Sequence, residues 1–436
     1  MQNFEITRKS VLTNTLNQVS GFHMSSSQKL YLLSLLILLS PLQLFCQKTI
    51  SKKIFSKDPQ SQYKGENVLS WHVNLDSEKT GQLISVSDQL ITFQGISHNI
   101  LALPEGFIKT KFAQDGSSIC ILSTKNLQND RDKMLTLQFY SDSAELIFEL
   151  NQKHVYDEPI PEVFVFNENR GFLLGNNAVG KLWFYDNQGR VENEIDLFPG
   201  AKYDLERIMS IDASGDARLI AVLATRRSAS PMDSGVPNPS GEPTLFVFSN
   251  DGNEIWSRSL SEMAGGEVAV SPSGQYMLAS SYSTDSRGGL KRVTTLFDSK
   301  GEQIQTFDFL FQTTSFSFSG TVLLMADRQT VRAVQLQSGN KVWQYKIKRQ
   351  DGLITAVQIG KEFQTSLILV AKDVFKNGAF IFVEPKLMVL NRLGKSIQTL
   401  DFPEREFVNP ALFTSPGAET VGLGFRDAFL TFNVNQ

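Results

Sequence analysis

Phe248-Ser-Asn-Asp-Gly252-Asn-Glu-Ile255 and, one unit further on, Phe297-Asp-Ser-Lys-Gly301-Glu-Gln-Ile304 decide the fold. Each joins an aromatic, apolar strand to a second strand through a short polar turn. The glycine accepts a positive φ, and the Asn, Asp and Ser side chains bond their own backbone, which is hairpin chemistry. Tyr185-Asp-Asn-Gln-Gly189-Arg-Val191, Leu336-Gln-Ser-Gly339-Asn-Lys-Val342 and Leu390-Asn-Arg-Leu-Gly394-Lys-Ser-Ile397 repeat the pattern. Tyr140-Ser-Asp-Ser-Ala144-Glu-Leu-Ile147 does so with Ala in the glycine place.

A second kind of turn alternates with the first. It reads Ala113-Gln-Asp-Gly116, Asn167-Glu-Asn-Arg-Gly171, Ala213-Ser-Gly215, Ser271-Pro-Ser-Gly274, Ser317-Phe-Ser-Gly320, Gln358-Ile-Gly360 and Ser415-Pro-Gly417. The mean spacing of these glycines, about 50 residues, is that of one four-stranded blade with its connections. The sequence therefore predicts an all-β chain, a β-propeller of four-stranded blades. Seven turns of this kind favour seven blades, with six or eight also compatible. The chain ends on Ala428-Phe-Leu-Thr-Phe-Asn-Val434, a third strand without an outer partner. Leu90-Ile-Thr-Phe-Gln-Gly95, followed by Asn99-Ile-Leu-Ala-Leu103, is expected to supply that partner from the front of the chain. Closure by strands from both termini removes two sheet edges that would otherwise invite aggregation.

Arg332-Ala-Val-Gln-Leu-Gln-Ser-Gly339-Asn-Lys-Val-Trp343 and Leu245-Phe-Val-Phe-Ser-Asn-Asp-Gly252-Asn-Glu-Ile-Trp256 share a Gly-to-Trp spacing of four. In this they resemble the quinoprotein-type propeller repeat, whose Trp docks one blade against the next. The resemblance implies that structural role for Trp256 and Trp343. Phe148, Asn193, Gln305 and Gln398 stand at the corresponding place in the other copies. The strand rhythm is also similar to that of WD-repeat propellers, without their Gly-His and Trp-Asp signatures. The likeness concerns fold alone and implies no quinone cofactor.

Before the repeat begins, Leu30-Tyr-Leu-Leu-Ser-Leu-Leu-Ile-Leu-Leu-Ser-Pro41-Leu-Gln-Leu-Phe45 is the one long apolar run. It is shorter than the roughly 20 residues of a membrane span and is flanked by Lys29, as in a signal peptide. Residues 1–46 are read as that signal, with Met24 as a more natural start. Residues 47–64 are read as a linker, and residues 65–436 as a single propeller domain. The mature chain is expected to be exported, periplasmic or extracellular, without a membrane span. Lipidation at Cys46 is an alternative that the bulky Phe45 disfavours. Cys120 would then be the remaining thiol, buried in an apolar strand.

The net charge of −3 gives no global field to recruit nucleic acid. No phosphate loop, zinc-spaced His/Cys cluster or nucleophile elbow appears, so no catalytic, cofactor or metal residue is assigned. The glycine turns should lie on one face of the disc, and the longer connections on the other. Those connections include 226–241, 282–292, 125–132 and 372–378. Length beyond what closure needs is where binding usually resides. The second strands exit toward that face with Lys125, Asn176, Arg226, Arg328, Lys372 and Arg426. Such a cationic rim would suit a carboxylate, a phosphate or an acidic protein segment. Asp327, Asp373 and Asp427 stand beside three of these cations, and a rim neutralised by its own ion pairs is the preferred reading. The expectation is a binding or scaffold protein with a protein partner. A carbohydrate-active hydrolase or lyase is the alternative, by analogy of fold.

Overall fold

A computed structural model describes residues 55, 58–75, 80–94, 99–126, 132–155, 160–176, 180–199, 205–227, 241–260, 266–284, 290–360, 363–376, 379–415 and 419–433. The readings of residues 1–46, of Met24 and Cys46, and of loop segments 127–131, 228–240, 285–289 and 377–378 fall outside them. The propeller body spans Ile54–Gln436.

The described strands form eight antiparallel sheets of the propeller kind. Blade 1 covers residues 70–102, blade 2 107–155, blade 3 162–196 and blade 4 205–259. Blade 5 covers 268–307, blade 6 313–346 and blade 7 353–401. Blade 8 takes its inner three strands from Ala411–Thr414, Thr420–Gly424 and Ala428–Asn433, and its outer strand from Ser61–Lys64. The all-β propeller read from the sequence is thus present, with eight blades in place of the favoured seven. The seven opening turns belong to blades 2 to 8. The extra blade lies ahead of them, because Asp76-Ser-Glu-Lys79, between its first two strands, carries no glycine.

Ring closure differs in the same way. Leu90–Gln94 and Ile100–Ala102 are the outer strands of blade 1. The strand that completes the ring comes from upstream of residue 65, where a linker was expected. Ser61 faces Thr431, and their hydroxyls lie 2.5 Å apart. The blade 8 to blade 1 seam is sealed by Trp71, whose indole Nε1 donates to the Phe425 carbonyl at 2.7 Å. A Cβ on Gly424 would come within 2.4 Å of that indole, so the glycine makes room for the ring.

The second strands are nearly saturated with buried apolar residues, as in Leu219–Ala224 and Val322–Ala326. Each is buried on both sides because neighbouring blades stack face to face, which is why these runs lack a two-residue alternation. On the glycine-turn face the inner turns bond one another across blades. The Asp115 N–H donates to Asn167 Oδ1 at 3.1 Å, and Asn167 Nδ2 donates to the Gly215 carbonyl at 2.6 Å. The Gly215 N–H in turn donates to the Pro272 carbonyl at 2.9 Å. Ala144, which replaces glycine in its turn, keeps the left-handed backbone with φ +62°.

Candidate functional site

On the long-loop face, blade 7 departs from its neighbours. Its second and third strands, Thr365–Lys376 and Ala379–Asn391, run 12 and 13 residues and form an arm that outreaches the blade. Most of the segment 372–378 expected as a loop is therefore strand. The inner half of the arm is buried from Ser366 to Ala371, whereas Lys372–Lys376 is exposed. A register shift between Val370 and Lys372 separates the halves, and Glu384 opposite has φ +51°. An irregularity of this kind sharpens local twist and turns the arm away from the sheet.

Two apolar side chains that would normally be inside are outside near the tip of this arm. Phe375 is 65% exposed and Phe380 63%, with ring centroids 5.1 Å apart in an edge-on arrangement. Val374 beside them is also exposed. The base of the arm is held firmly. Glu406–Phe407 adds a short strand against Phe382 and Val383, and the Phe382 and Phe407 rings stack at 5.0 Å. The Arg426 N–H donates to the Glu406 carbonyl at 2.7 Å, which ties that strand to blade 8.

The expected rim residues sit at the ends or turns of second strands, as their sequence positions require. Lys125 is exposed in blade 2, and Arg328 is exposed in the turn of blade 6; neither is in an ion pair with a described residue. Arg226 lies in blade 4, in register with Glu206 and Glu242. Asn176 closes the second strand of blade 3. Among the rim residues whose side chains are described, Lys372 and Arg426 enter the arm's charge network. Lys372 Nζ meets Glu384 Oε2 at 2.6 Å. Glu406 lies between Lys376 at 3.7 Å and Arg426 at 3.6 Å, and Arg426 Nη2 also donates to Asn67 Oδ1 at 3.2 Å.

The neutralising carboxylates are not the ones beside the cations in sequence. Asp427 pairs with Arg405, and Asp327 accepts the N–H groups of Gln329 and Thr330, both at 2.7 Å. Asp373 is exposed. Glu384, Glu406 and Arg405 escaped the sequence reading. Their one signal is weak: two carboxylates embedded in aromatic strand sequence, Val383-Glu384 and Glu406-Phe407.

The docking positions between blades show a shared geometry. Trp256 Nε1 donates to the Ser299 carbonyl of the next blade at 3.0 Å, and its ring lies beneath Gly301. Trp343 lies beneath Gly394, where an added Cβ would stand 2.7 Å from the indole, and it stacks on Phe363 at 6.2 Å. Phe148, Asn193 and Gln305 occupy the same place beneath Gly189, Gly252 and Gly339.

No family model matches the chain, and no curated protein sequence matches it. Among solved structures, the C-terminal WD40 domain of Sif2 is similar, with a TM-score of 0.49 and 12% identity. That match covers 88% of this chain and 99% of the other. The strand pairing described above itself defines the propeller.

The first strands of the blades carry titratable groups that pack against the neighbouring blade. Lys109 of blade 2 meets Glu162 of blade 3 at 3.3 Å, and burial lowers the Lys109 pKa against the opposing pull of that carboxylate. His72 stacks on Phe112 with centroids 3.6 Å apart; burial, then the Lys111 charge, brings its pKa down to about 4. Asp212 accepts the Val270 N–H of blade 5 at 2.7 Å, and burial raises its carboxyl to about 6. Cys120 is buried, and burial pushes its thiol pKa strongly upward, so it is no nucleophile at neutral pH. Among the described residues, no group of three or more His, Cys, Asp or Glu is placed to hold a metal.

Proposed function

We propose that this chain is an exported propeller scaffold that binds a protein partner through its long-loop face, with the blade 7 arm as the principal contact. The observation that carries this reading is the exposed pair Phe375 and Phe380 at the end of a braced hairpin. Large aromatics cost free energy when left in water, and clusters of them outside a core mark interaction sites. Aromatic anchors on a preorganised support also dominate the energetics of protein interfaces. The polar surround of Lys372, Glu384, Lys376 and Glu406 would form the rim that such an interface carries. Export is supported by the apolar run Leu30–Phe45 with its Lys29 flank.

The test is a pull-down from envelope extract with the intact protein and with a variant whose arm beyond Lys372 and Val383 is replaced by a tight turn. A protein recovered by the first and lost with the second is the expected result. Equal recovery by both would contradict the proposal.

A further inference from the structure

We propose that the glycine-turn face of blades 6 and 7, opposite the arm, rests on an anionic lipid surface. Three exposed cations lie there: Lys341, Arg392 and Lys395. None of them is in an ion pair with a described residue. In blades 3 and 4 the turn cations are neutralised. Arg170 pairs with Glu168, Arg190 with Asp186 at 2.7 Å, and Arg218 with Asp216 at 3.3 Å. The turns of blades 6 and 7 on this side hold no carboxylate among their described residues.

The same turns expose apolar side chains. Phe318 is 90% exposed, Leu393 64% and Val342 48%. They form one surface with the cations. The Leu336 N–H donates to the Thr321 carbonyl at 2.9 Å, which joins the two turns of blade 6. Trp343, next to Val342, lies directly beneath Gly394, next to Leu393 and Lys395. Unpaired cations interspersed with exposed apolar groups fit a surface that is negative at its headgroups and apolar just below them.

Charge complementarity favours lipid as the occupant: Lys341, Arg392 and Lys395 suit anionic headgroups, and Phe318, Leu393 and Val342 suit the apolar layer beneath them. Gln398, three residues after Lys395, grips the backbone of Phe55, so the upstream end of the propeller arrives at this face. Residues 46–54 join it to the apolar run Leu30–Phe45.

The test uses the full chain with Cys46→Ser, labelled by a fluorophore at Asn340→Cys on this face or at Asp373→Cys on the arm. Vesicles of phosphatidylcholine, alone or mixed with phosphatidylglycerol, carry a headgroup nitroxide quencher. Because the apolar run would bind either vesicle, the readout is which face is quenched. Quenching at position 340 and not at 373, stronger in the mixed vesicles, is expected. Lys341→Glu, Arg392→Glu and Lys395→Glu together should remove that preference while the unfolding midpoint stays in place. Each charge should weaken the anionic component about fivefold. Equal quenching at both positions, or quenching that persists in the triple variant, would overturn the proposal. Absent quenching, with the triple substitution instead abolishing retention of a single-stranded oligonucleotide, would overturn it in favour of nucleic acid. Failure here leaves the arm's pull-down result untouched, since the two faces are tested by separate variants.

Discussion

Gln398 holds Phe55 by both ends of its amide: Oε1 accepts the Phe55 N–H at 3.0 Å, and Nε2 donates to the Phe55 carbonyl at 3.0 Å. In blades 2 to 6 the corresponding fourth-strand residue lies beneath the next blade's glycine turn. Blade 8 has no such turn, because its third and fourth strands come from opposite ends of the chain. The backbone at Phe55 takes the turn's place, and the buried Phe55 ring fills the core between blades 7 and 8.

This clasp sets the first expectation. Phe55→Ala should destabilise the propeller by about 3 kcal/mol or more, because a fully buried ring is removed from a packed seam. Gln398→Ala should cost about 1–2 kcal/mol, leaving two backbone groups without a partner. Urea unfolding of the two variants checks both values. Phe55→Ala with an unchanged midpoint would mean that residues before Ser61 are not part of the folded body.

The Trp343–Gly394 contact predicts non-additivity. Gly394 has φ +74°, and a Cβ there would overlap the indole. Gly394→Ala should therefore cost at least about 1–2 kcal/mol from backbone strain and displaced packing. With Trp343→Ala in the background, part of that penalty should vanish, giving a coupling of about 1 kcal/mol in a double-mutant cycle. Strictly additive losses would show that the indole does not support the turn.

The turn grammar made blades 2 to 8 legible, since the segment between the first and second strands of each carries a glycine that sequence reports directly. Blade 1 was hidden because the segment between its first two strands, Asp76-Ser-Glu-Lys79, contains no glycine. Phe55 was hidden for a different reason. One apolar residue in Ser51-Lys-Lys-Ile-Phe-Ser-Lys57 has no periodic company, and its partner is 343 residues away. The rim cations were readable as strand ends, but their carboxylate partners were not. Pairing across a bulged hairpin depends on a register that the spacing of charges does not reveal.

Two buried first-strand groups give opposing pH dependences. The folded-state pKa of Asp212, about 6, is above its ordinary 3.8, so the folded protein binds that proton more tightly than the unfolded chain. Its contribution is complete below about pH 4 and is lost as pH rises through about 6. His72, held near 4 against an ordinary 6.5, acts in the other sense: stability rises between those values. Asp212→Asn keeps an oxygen for the Val270 N–H and removes only the first effect. The variant should exceed the wild type by about 1–2 kcal/mol at pH 7, with the gap closing toward pH 4. Chemical denaturation across that range decides it, and a gap independent of pH would refute the assignment. Glu267, raised by burial and close to the same seam, adds the same sign as Asp212 in both proteins and so cancels in the difference.

The brace beneath the arm should govern its order. Glu406→Gln weakens the links to both Lys376 and Arg426, yet these are long, partly exposed pairs, so global stability should change by less than about 1 kcal/mol. Amide exchange in 372–383 should nonetheless quicken, because local opening of the arm no longer breaks those contacts. Unaltered exchange there would mean that the backbone pairing and the stack of Phe382 on Phe407 hold the base without the ion pairs.

The arm is proposed as the place where a protein partner meets this propeller. The most direct measurement places a photo-crosslinking amino acid at Phe380 and, in a separate protein, at Phe318 on the opposite face, and irradiates both in intact cells. One discrete protein adduct from position 380, absent from position 318 and lost when Phe375→Ser is added, is the expected result. The same adducts from both positions, or none from position 380, would contradict the claim.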